Sequence, residues 1–381
     1  MPKILLFANT DWYLYNFRLS LAKNLRDQGH EVILLSPPGN FQKLLQENGF
    51  QLISFPFSRQ GINPFYEIWT LWQLIRVYRK VQPDIVHHFT IKPVIYGSLA
   101  AHFRHIGGII NSITGLGHLF IDPGPITRLL RIVAKWLYRI SLRDTQVIFE
   151  NPEDRNIFIK NHLLKAERAH LIMGTGVDVE KFRPTNKNND IPVVLFSSRM
   201  LATKGVLEYM DAVRILKQNG SKARFALAGT TDLGNPASVT DRQIASWNQS
   251  GLVEWWGWQE DMPNTLAQTD IFCLPSYREG VPNALIEASA CGLPIVTTDV
   301  PGCRDVVTHG VNGLLVPVKN AVALANALKT LLTSPDMRQR MGIAGRETAI
   351  KKFSTTIVNA ETLSVYKILL SASPFGRIGA G

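Results

Sequence analysis

Leu274-Pro275-Ser276-Tyr277-Arg278-Glu279-Gly280-Val281-Pro282-Asn283-Ala284-Leu285-Ile286-Glu287-Ala288-Ser289-Ala290-Cys291-Gly292-Leu293-Pro294 is the most informative stretch of this 381-residue chain. An apolar run ends at Leu274, a Gly-containing turn follows, and a helix is predicted to start near Pro282. A buried strand that feeds a helix through a short turn is the unit of a parallel α/β sheet. In such sheets ligands bind outside the carboxyl ends of the strands, where the first N–H groups of the next helix can hold an anion. Gly280–Ala284 therefore offers backbone donors to a phosphate or a sugar oxygen. Glu279 sits at the mouth of this turn and Glu287 about one turn into the helix, so the two carboxylates suit two hydroxylated groups of one extended ligand. In the plainer alternative Glu279 only caps the helix end and Glu287 is a solvated helix residue. The apolar neighbours Leu285, Ile286 and Ala288 argue against free solvation of Glu287.

Outward from this stretch the same alternation continues. In the second half, Pro192–Ser197, Arg224–Ala228, Val253–Trp256, Ile271–Pro275, Pro294–Thr298 and Gly313–Val316 read as strands, with helices at Val206–Lys217, Asn283–Cys291 and Ala321–Ser334. In the first half, strands are predicted at Lys3–Ala8, Glu31–Ser36, Gln51–Phe55, Ile85–His88, Gly108–Ile113 and Thr145–Glu150. Helices are predicted at Asn16–Gln28, Phe65–Val81, Ile95–Phe103 and Thr127–Arg143. Short, continuous apolar strands need helices on both faces. The predicted fold class is α/β, with two Rossmann-like, doubly wound parallel-sheet domains. The expected organisation is an N-terminal domain at 1–183, a polar linker at 184–190 and a C-terminal domain at 191–354. A C-terminal helix at 355–370, free to return to the N-terminal domain, and a flexible tail at 371–381 complete it.

Hydrophobic residues make up 45% and charged residues 19%, a globular composition that excludes a disordered or fibrous chain. The net charge of +11 is uneven: residues 1–190 hold 23 basic against 15 acidic residues, and residues 191–381 hold 18 against 15. An anionic partner is implied for the first half: nucleic acid, a membrane surface or a phosphorylated substrate. With no zinc finger, RNP-like aromatic element or helix-turn-helix, nucleic acid is not an expected partner. Cys273, Cys291 and Cys303 form no C-x-x-C pair, which fits a reduced cytosolic chain without a zinc site. The apolar run Ile4–Ala8 is too short for a signal-peptide core or for a spanning helix of roughly 20 residues. Gly115-Leu116-Gly117 lacks the third glycine of a dinucleotide fingerprint, Phe120 standing in its place, and no Gly-x4-Gly-Lys-Ser/Thr loop occurs. Oxidoreductase and ATPase readings thereby lose their main support.

Glu279 and Glu287 stand at the E-x7-E spacing, and with the surrounding Ser-Tyr-Arg-Glu-Gly-Val-Pro the chain resembles the retaining GT-B glycosyltransferases of family 4 (group 1). Arg199-Met200-Leu201-Ala202-Thr203-Lys204-Gly205 resembles that family's Arg-x4-Lys-Gly element, and Thr298–Val307 resembles the segment after its E-x7-E helix. In the first domain, His87-His88-Phe89-Thr90-Ile91-Lys92-Pro93 and Asn111–Gly117 are similar to bacterial members that extend lipid-linked sugars for surface polysaccharide or glycoprotein synthesis.

The resemblance implies a GT-B fold, its two domains facing a central cleft. It implies transfer of a hexose or N-acetylhexosamine from a nucleotide sugar, UDP-linked, to a lipid-diphosphate-linked saccharide, with retention and with neither metal nor cofactor. No Asp-x-Asp occurs in the chain. By the same carry-over, the catalytic residues are Glu279, Arg199 and Lys204: Arg199 as a planar fork and Lys204 as a point charge offset the diphosphate as the sugar–phosphate bond breaks. Glu279 accepts the sugar hydroxyls, Glu287 the ribose hydroxyls, and Gly280, Val281, Pro282 and Asn283 line the donor. Acceptor-side candidates are Asn9, Thr10 and Asp11 after the first strand, His87 and His88 closing another, and Thr114, Gly115 and His118. Many members carry a His where Thr114 stands. The implied step is front-side attack, with the departing phosphate assisting deprotonation of the acceptor. A sugar-nucleotide 2-epimerase, sharing the architecture and the donors, is the alternative.

Arg128, Arg131, Lys135, Arg139 and Arg143 recur every three or four residues along one predicted helix, and Phe65–Lys80 interleaves aromatic and basic residues. Interfacial helices have this pattern, so the N-terminal domain is expected to bind an anionic membrane. The expected location is cytoplasmic, peripheral to the inner face of the plasma membrane. Two ordinary amphipathic helices with solvated cationic faces are the alternative.

Overall fold

In a computed structural model the strands form two all-parallel sheets, one of seven strands and one of six. All residues are described except 58–62, 116–124, 186–188, 233 and 373–381. The chain divides into two units, Met1–Thr175 with Thr356–Gly381, and Gly176–Thr355.

The first unit holds β1 (Lys3–Phe7), β2 (Glu31–Ser36), β3 (Gln51–Ser54), β4 (Ile85–Phe89), β5 (Gly108–Ile113), β6 (Gln146–Phe149) and β7 (Ala169–Leu171), in the order β3-β2-β1-β4-β5-β6-β7. Successive strand residues face opposite sides. Leu6 thus joins Ile4, Leu21, Leu25, Ile85, Phe89 and Tyr366 in one core, while Leu5 and Phe7 join Leu74, Tyr78 and Val86 in the other. The second unit holds β8 (Val193–Ser197), β9 (Arg224–Ala228), β10 (Glu254–Gly257), β11 (Ile271–Leu274), β12 (Ile295–Thr298) and β13 (Gly313–Val316), in the order β10-β9-β8-β11-β12-β13. Each sheet therefore grows outward from its first strand, reverses, and continues on the other side of that strand. The reversal leaves a crevice at the carboxyl ends, between β1 and β4 in one unit and between β8 and β11 in the other.

Strand placement agrees with the sequence to within a residue or two; helix starts agree less well. The first helix begins at Asp11, capped by the Thr10 side chain, and runs through a π-helical turn at Leu14–Arg18 into Leu19–Asp27. A second π-helical turn, Pro93–Gly97, precedes the α-helix Ser98–Phe103. Such turns insert a residue and break the 3.6 period, which is why the apolar spacing marks these helices late. The short strand β7 and the helices Pro152–Lys160, Asp241–Gln249, Met262–Ala267 and Pro335–Phe353 are not among the elements predicted from the sequence.

The boundary also differs. Gly176–Arg183 belongs with the second unit, not the first, because the Val177 N–H donates to the Phe353 carbonyl (2.8 Å) and the Phe182 carbonyl accepts from Arg346 Nη1 (2.6 Å). Polar composition at 184–190 marked solvent exposure, not the division; residues 186–188 of that segment lie outside the described ones. The last helix, Thr355–Ala372, lies mostly in the first unit: Val358, Val365 and Tyr366 enter its core, and Asn359 Nδ2 donates to Ser20 Oγ at 2.7 Å. Cys273, Cys291 and Cys303 are all buried thiols, and no helix among the described residues is long and apolar enough to cross a membrane.

Candidate functional site

The strands β8 and β11 are hydrogen-bonded neighbours, with Phe196 opposite Cys273, and the loops that leave them start side by side at the same edge. After β8 the chain makes a short 3₁₀ turn at Ala202–Lys204 and passes Gly205 into the helix Val206–Gln218. Gly205 has φ +80°, and the Pro275 carbonyl oxygen lies 2.1 Å from the place a Cβ would take. Only glycine lets the two backbones come this close. The Tyr277 N–H then donates to the Thr203 carbonyl at 2.9 Å, and the Thr298 hydroxyl, from the end of β12, donates to the Ser276 carbonyl. Three strand ends thus brace one loop.

This bracing brings together residues that the sequence singled out separately. Lys204 Nζ lies 2.5 Å from Glu279 Oε1, and the same oxygen accepts from Ser276 Oγ at 2.6 Å. The side chains of Lys204 and Glu279 are only 20% and 10% exposed, so their attraction is less screened than that of a surface pair. Glu279 does not cap the following helix. Pro282 occupies the N-cap position of Asn283–Ala290 without a side-chain cap bond, and Gly280, Val281 and Pro282 are buried with Asn283 half-buried. Glu287 lies on that helix and is half-buried. Burial pushes its carboxyl up to about 7, against the nearby Lys181 ammonium.

Arg199 is placed differently. Its side chain is 52% exposed and its Nη1 lies 2.7 Å from Asp232 Oδ2. The sequence did not single out Asp232. Asp232 follows β9, and only the strand order puts the end of β9 beside that of β8.

In the first unit, Asn9, Thr10 and Asp11 follow β1 and Thr114 and Gly115 follow β5, all at the carboxyl edge. Asn9, Thr10, Thr114 and Gly115 are half-buried; His118 lies outside the described residues. Asp11 is 5% exposed, and its two oxygens accept from the N–H groups of Trp12 and Phe41, both at 2.8 Å. It holds the loop after β2 in place. His87 and His88 require a correction as acceptor-side candidates, because both are fully buried. The His87 nitrogens meet Tyr366 Oη and Ser112 Oγ, each at 2.8 Å, and the His88 nitrogens meet Tyr78 Oη (2.8 Å) and Asn111 Oδ1 (2.9 Å). Burial lowers both pKa values, that of His88 to about 4, and Arg18 adds to the effect at His87. Two neutral rings with both nitrogens committed have nothing to offer a sugar. Arg18, which the sequence analysis did not single out, lies over the Phe89 ring at 4.4 Å and pairs with Glu150 at 3.7 Å, buried beneath the end of β4.

Known proteins are similar to this chain in sequence and in fold. Residues 3–151 match the family described as glycosyl transferase 4-like, and residues 178–348 match glycosyl transferases group 1. A Campylobacter jejuni enzyme, N,N'-diacetylbacillosaminyl-diphospho-undecaprenol alpha-1,3-N-acetylgalactosaminyltransferase, is 31% identical over 93% of this chain and 95% of its own. An Escherichia coli enzyme, UDP-Gal:alpha-D-GlcNAc-diphosphoundecaprenol alpha-1,3-galactosyltransferase, is 26% identical over 71% of each chain. Among solved structures, a Rickettsia africae glycosyltransferase superposes with a TM-score of 0.78 at 21% identity, over 98% of this chain and 99% of its own. Anabaena HepE in complex with UDP does so with 0.78 at 20% identity, over 96% of this chain and 100% of its own. The two doubly wound sheets are those of the GT-B fold, and with a relative this similar along nearly the entire length the chain belongs to the group 1 glycosyltransferases.

Proposed function

We propose that the protein moves a hexose or N-acetylhexosamine from a UDP-linked donor to a lipid-diphosphate-linked saccharide, with retention and without a metal, in cell-surface glycan synthesis. The Lys204–Glu279 pair at the β8/β11 crevice carries this reading. A lysine held just past a strand end by a carboxylate, itself on a loop that three strand ends brace, is a preorganised positive charge. Such a charge stabilises negative charge developing on a leaving diphosphate without reorganising, the task a metal would otherwise take. Glu279 Oε1 already serves Lys204 and Ser276; in this reading Oε2 accepts from the sugar hydroxyls and Glu287 from the ribose hydroxyls. The names of the Campylobacter and Escherichia relatives, both diphospho-undecaprenol enzymes, support the acceptor class, and the UDP in HepE supports the nucleotide. The test is incubation with UDP-N-acetylgalactosamine or UDP-galactose and an undecaprenyl-diphosphate saccharide in the presence of EDTA, with the product's anomeric configuration read by NMR. An α-linked product is expected. A β-linked product, transfer abolished by EDTA, or conversion of the UDP-sugar with no acceptor present would overturn the proposal.

We further propose that the first unit binds an anionic membrane, on the inner face of the plasma membrane, where such an acceptor resides. The solvent faces of two helices support this. On Pro64–Val81, Phe65 (85% exposed), Ile68, Trp69 and Trp72 face outward, with the Arg76 guanidinium stacked on the Trp72 ring at 3.6 Å. On Pro125–Ser141, Ile132, Val133, Trp136 (61% exposed) and Ile140 do so. Part of the cationic stripe serves the fold instead: Lys135 Nζ donates to Asn161 Oδ1 (2.7 Å) and Arg139 Nε to the His162 carbonyl (3.2 Å). Aromatic residues flanked by cations suit the headgroup layer. The double variant Trp72→Glu, Trp136→Glu is expected to lose most co-sedimentation with phosphatidylglycerol vesicles. Unchanged binding would refute the membrane assignment.

A further inference from the structure

Tyr277, two residues before Glu279, makes a side-chain contact for which donor binding has no evident use. Its hydroxyl donates to Glu208 Oε1 at 2.6 Å, while its backbone N–H holds the Thr203 carbonyl at 2.9 Å and Lys319 Nζ lies 5.0 Å from the ring centroid. Glu208 sits in the first turn of Val206–Gln218, the helix into which the Lys204 loop runs. The Tyr277 side chain therefore spans from the loop that carries Glu279 to the element that follows Lys204. Burial and the Glu208 carboxylate keep its phenol protonated as a donor.

We propose that Tyr277 is a positioning residue for sugar transfer: by gripping Glu208 it sets the spacing between the Lys204 and Glu279 loops once a donor is bound. This rests on the nucleotide-sugar reading of the site. Without a ligand, the Lys204–Glu279 bond itself ties the loops together. An incoming diphosphate shares the Lys204 ammonium with Glu279, so this bond alone does not set the spacing when it matters most. The Tyr277–Glu208 contact does not involve Lys204, so it persists. It is also directional, a hydroxyl on one oxygen, whereas an ammonium tolerates many approach angles. Small displacements of groups that hold a reacting centre are costly in rate.

The experiment is calorimetric titration of the full chain with UDP, followed by donor kinetics. Tyr277→Phe removes one oxygen and keeps the ring against Lys319 and the backbone bond to Thr203. Its UDP affinity is expected to fall about ten-fold, with a lower kcat and an unchanged acceptor KM, a split that general loosening of the fold does not produce. Glu208→Ala should match it, and the double variant should lose no more than either single one, as for two ends of one contact. Glu208→Gln keeps an accepting oxygen and should stay within about two-fold of the parent. If Tyr277→Phe does not fold, the comparison of Glu208→Ala with Glu208→Gln decides the matter. Tyr277→Phe binding UDP as tightly as the parent, or additive losses in the double variant, would overturn the positioning role. A parent protein that does not bind UDP would overturn the nucleotide-sugar reading itself.

Discussion

Replacing Lys204 with alanine is expected to lower kcat/KM for transfer by roughly 10²–10³-fold, the usual effect of removing one preorganised group that stabilises transition-state charge. Arg199→Ala is expected to cost about ten-fold or less, although both residues come from one motif. The difference follows from their surroundings. Lys204 is largely shielded and fixed on Glu279 at 2.5 Å, whereas Arg199 is half in solvent and paired with Asp232. A charge in high dielectric contributes less to any partner, and its position is less defined. Removing Lys204 also leaves Glu279 with Ser276 as its one remaining partner of the two. Steady-state kinetics with varied donor checks the ranking; equal losses for the two variants would refute the argument from burial.

Gly205→Ala is expected to destabilise the second unit by about 2–4 kcal/mol, with transfer activity falling alongside. A left-handed backbone costs a non-glycine residue roughly 1–2 kcal/mol, and the displaced Pro275 carbonyl adds local strain of similar size. For a unit of this size that corresponds to a drop in melting temperature of roughly 5–15 °C. Gly220 provides the control, because its φ of +78° is nearly the same but nothing lies within 4 Å of its Cβ position. Gly220→Ala is expected to show the backbone cost alone and leave activity intact. Thermal unfolding followed by circular dichroism separates the two, and indistinguishable melting temperatures would show that the close approach to Pro275 carries no energy.

Much of the fold was legible because parallel strands buried on both faces are written as short apolar runs, and β2, β5, β9 and β13 have the boundaries those runs predict. The three-residue β7 offers too few apolar positions for such a run. The helix at Asp11 was marked late because its π-helical turn interrupts the period on which its detection rests. The histidines show a different limit. His87-His88 at a strand end looks the same in sequence whether the rings point into a crevice or into the two cores. Here Tyr366, from the far end of the chain, and Tyr78, from a helix on the other face, claim them.

The sequence by itself determined the α/β class, the two-fold repetition of the doubly wound unit, and the set of residues a strand end presents at the second unit's crevice. These are local matters, set by apolar periodicity and by turn residues within a few positions of one another. Only the tertiary structure decided that Lys204 and Glu279, 75 residues apart, share a bond, that Arg199 is held by Asp232, and that His87, His88 and Asp11 are consumed by the fold. Which polar groups meet depends on strand order, and which remain available depends on burial. Both emerge when distant segments pack, since a polar side chain is spent or spared by the neighbours it finds there.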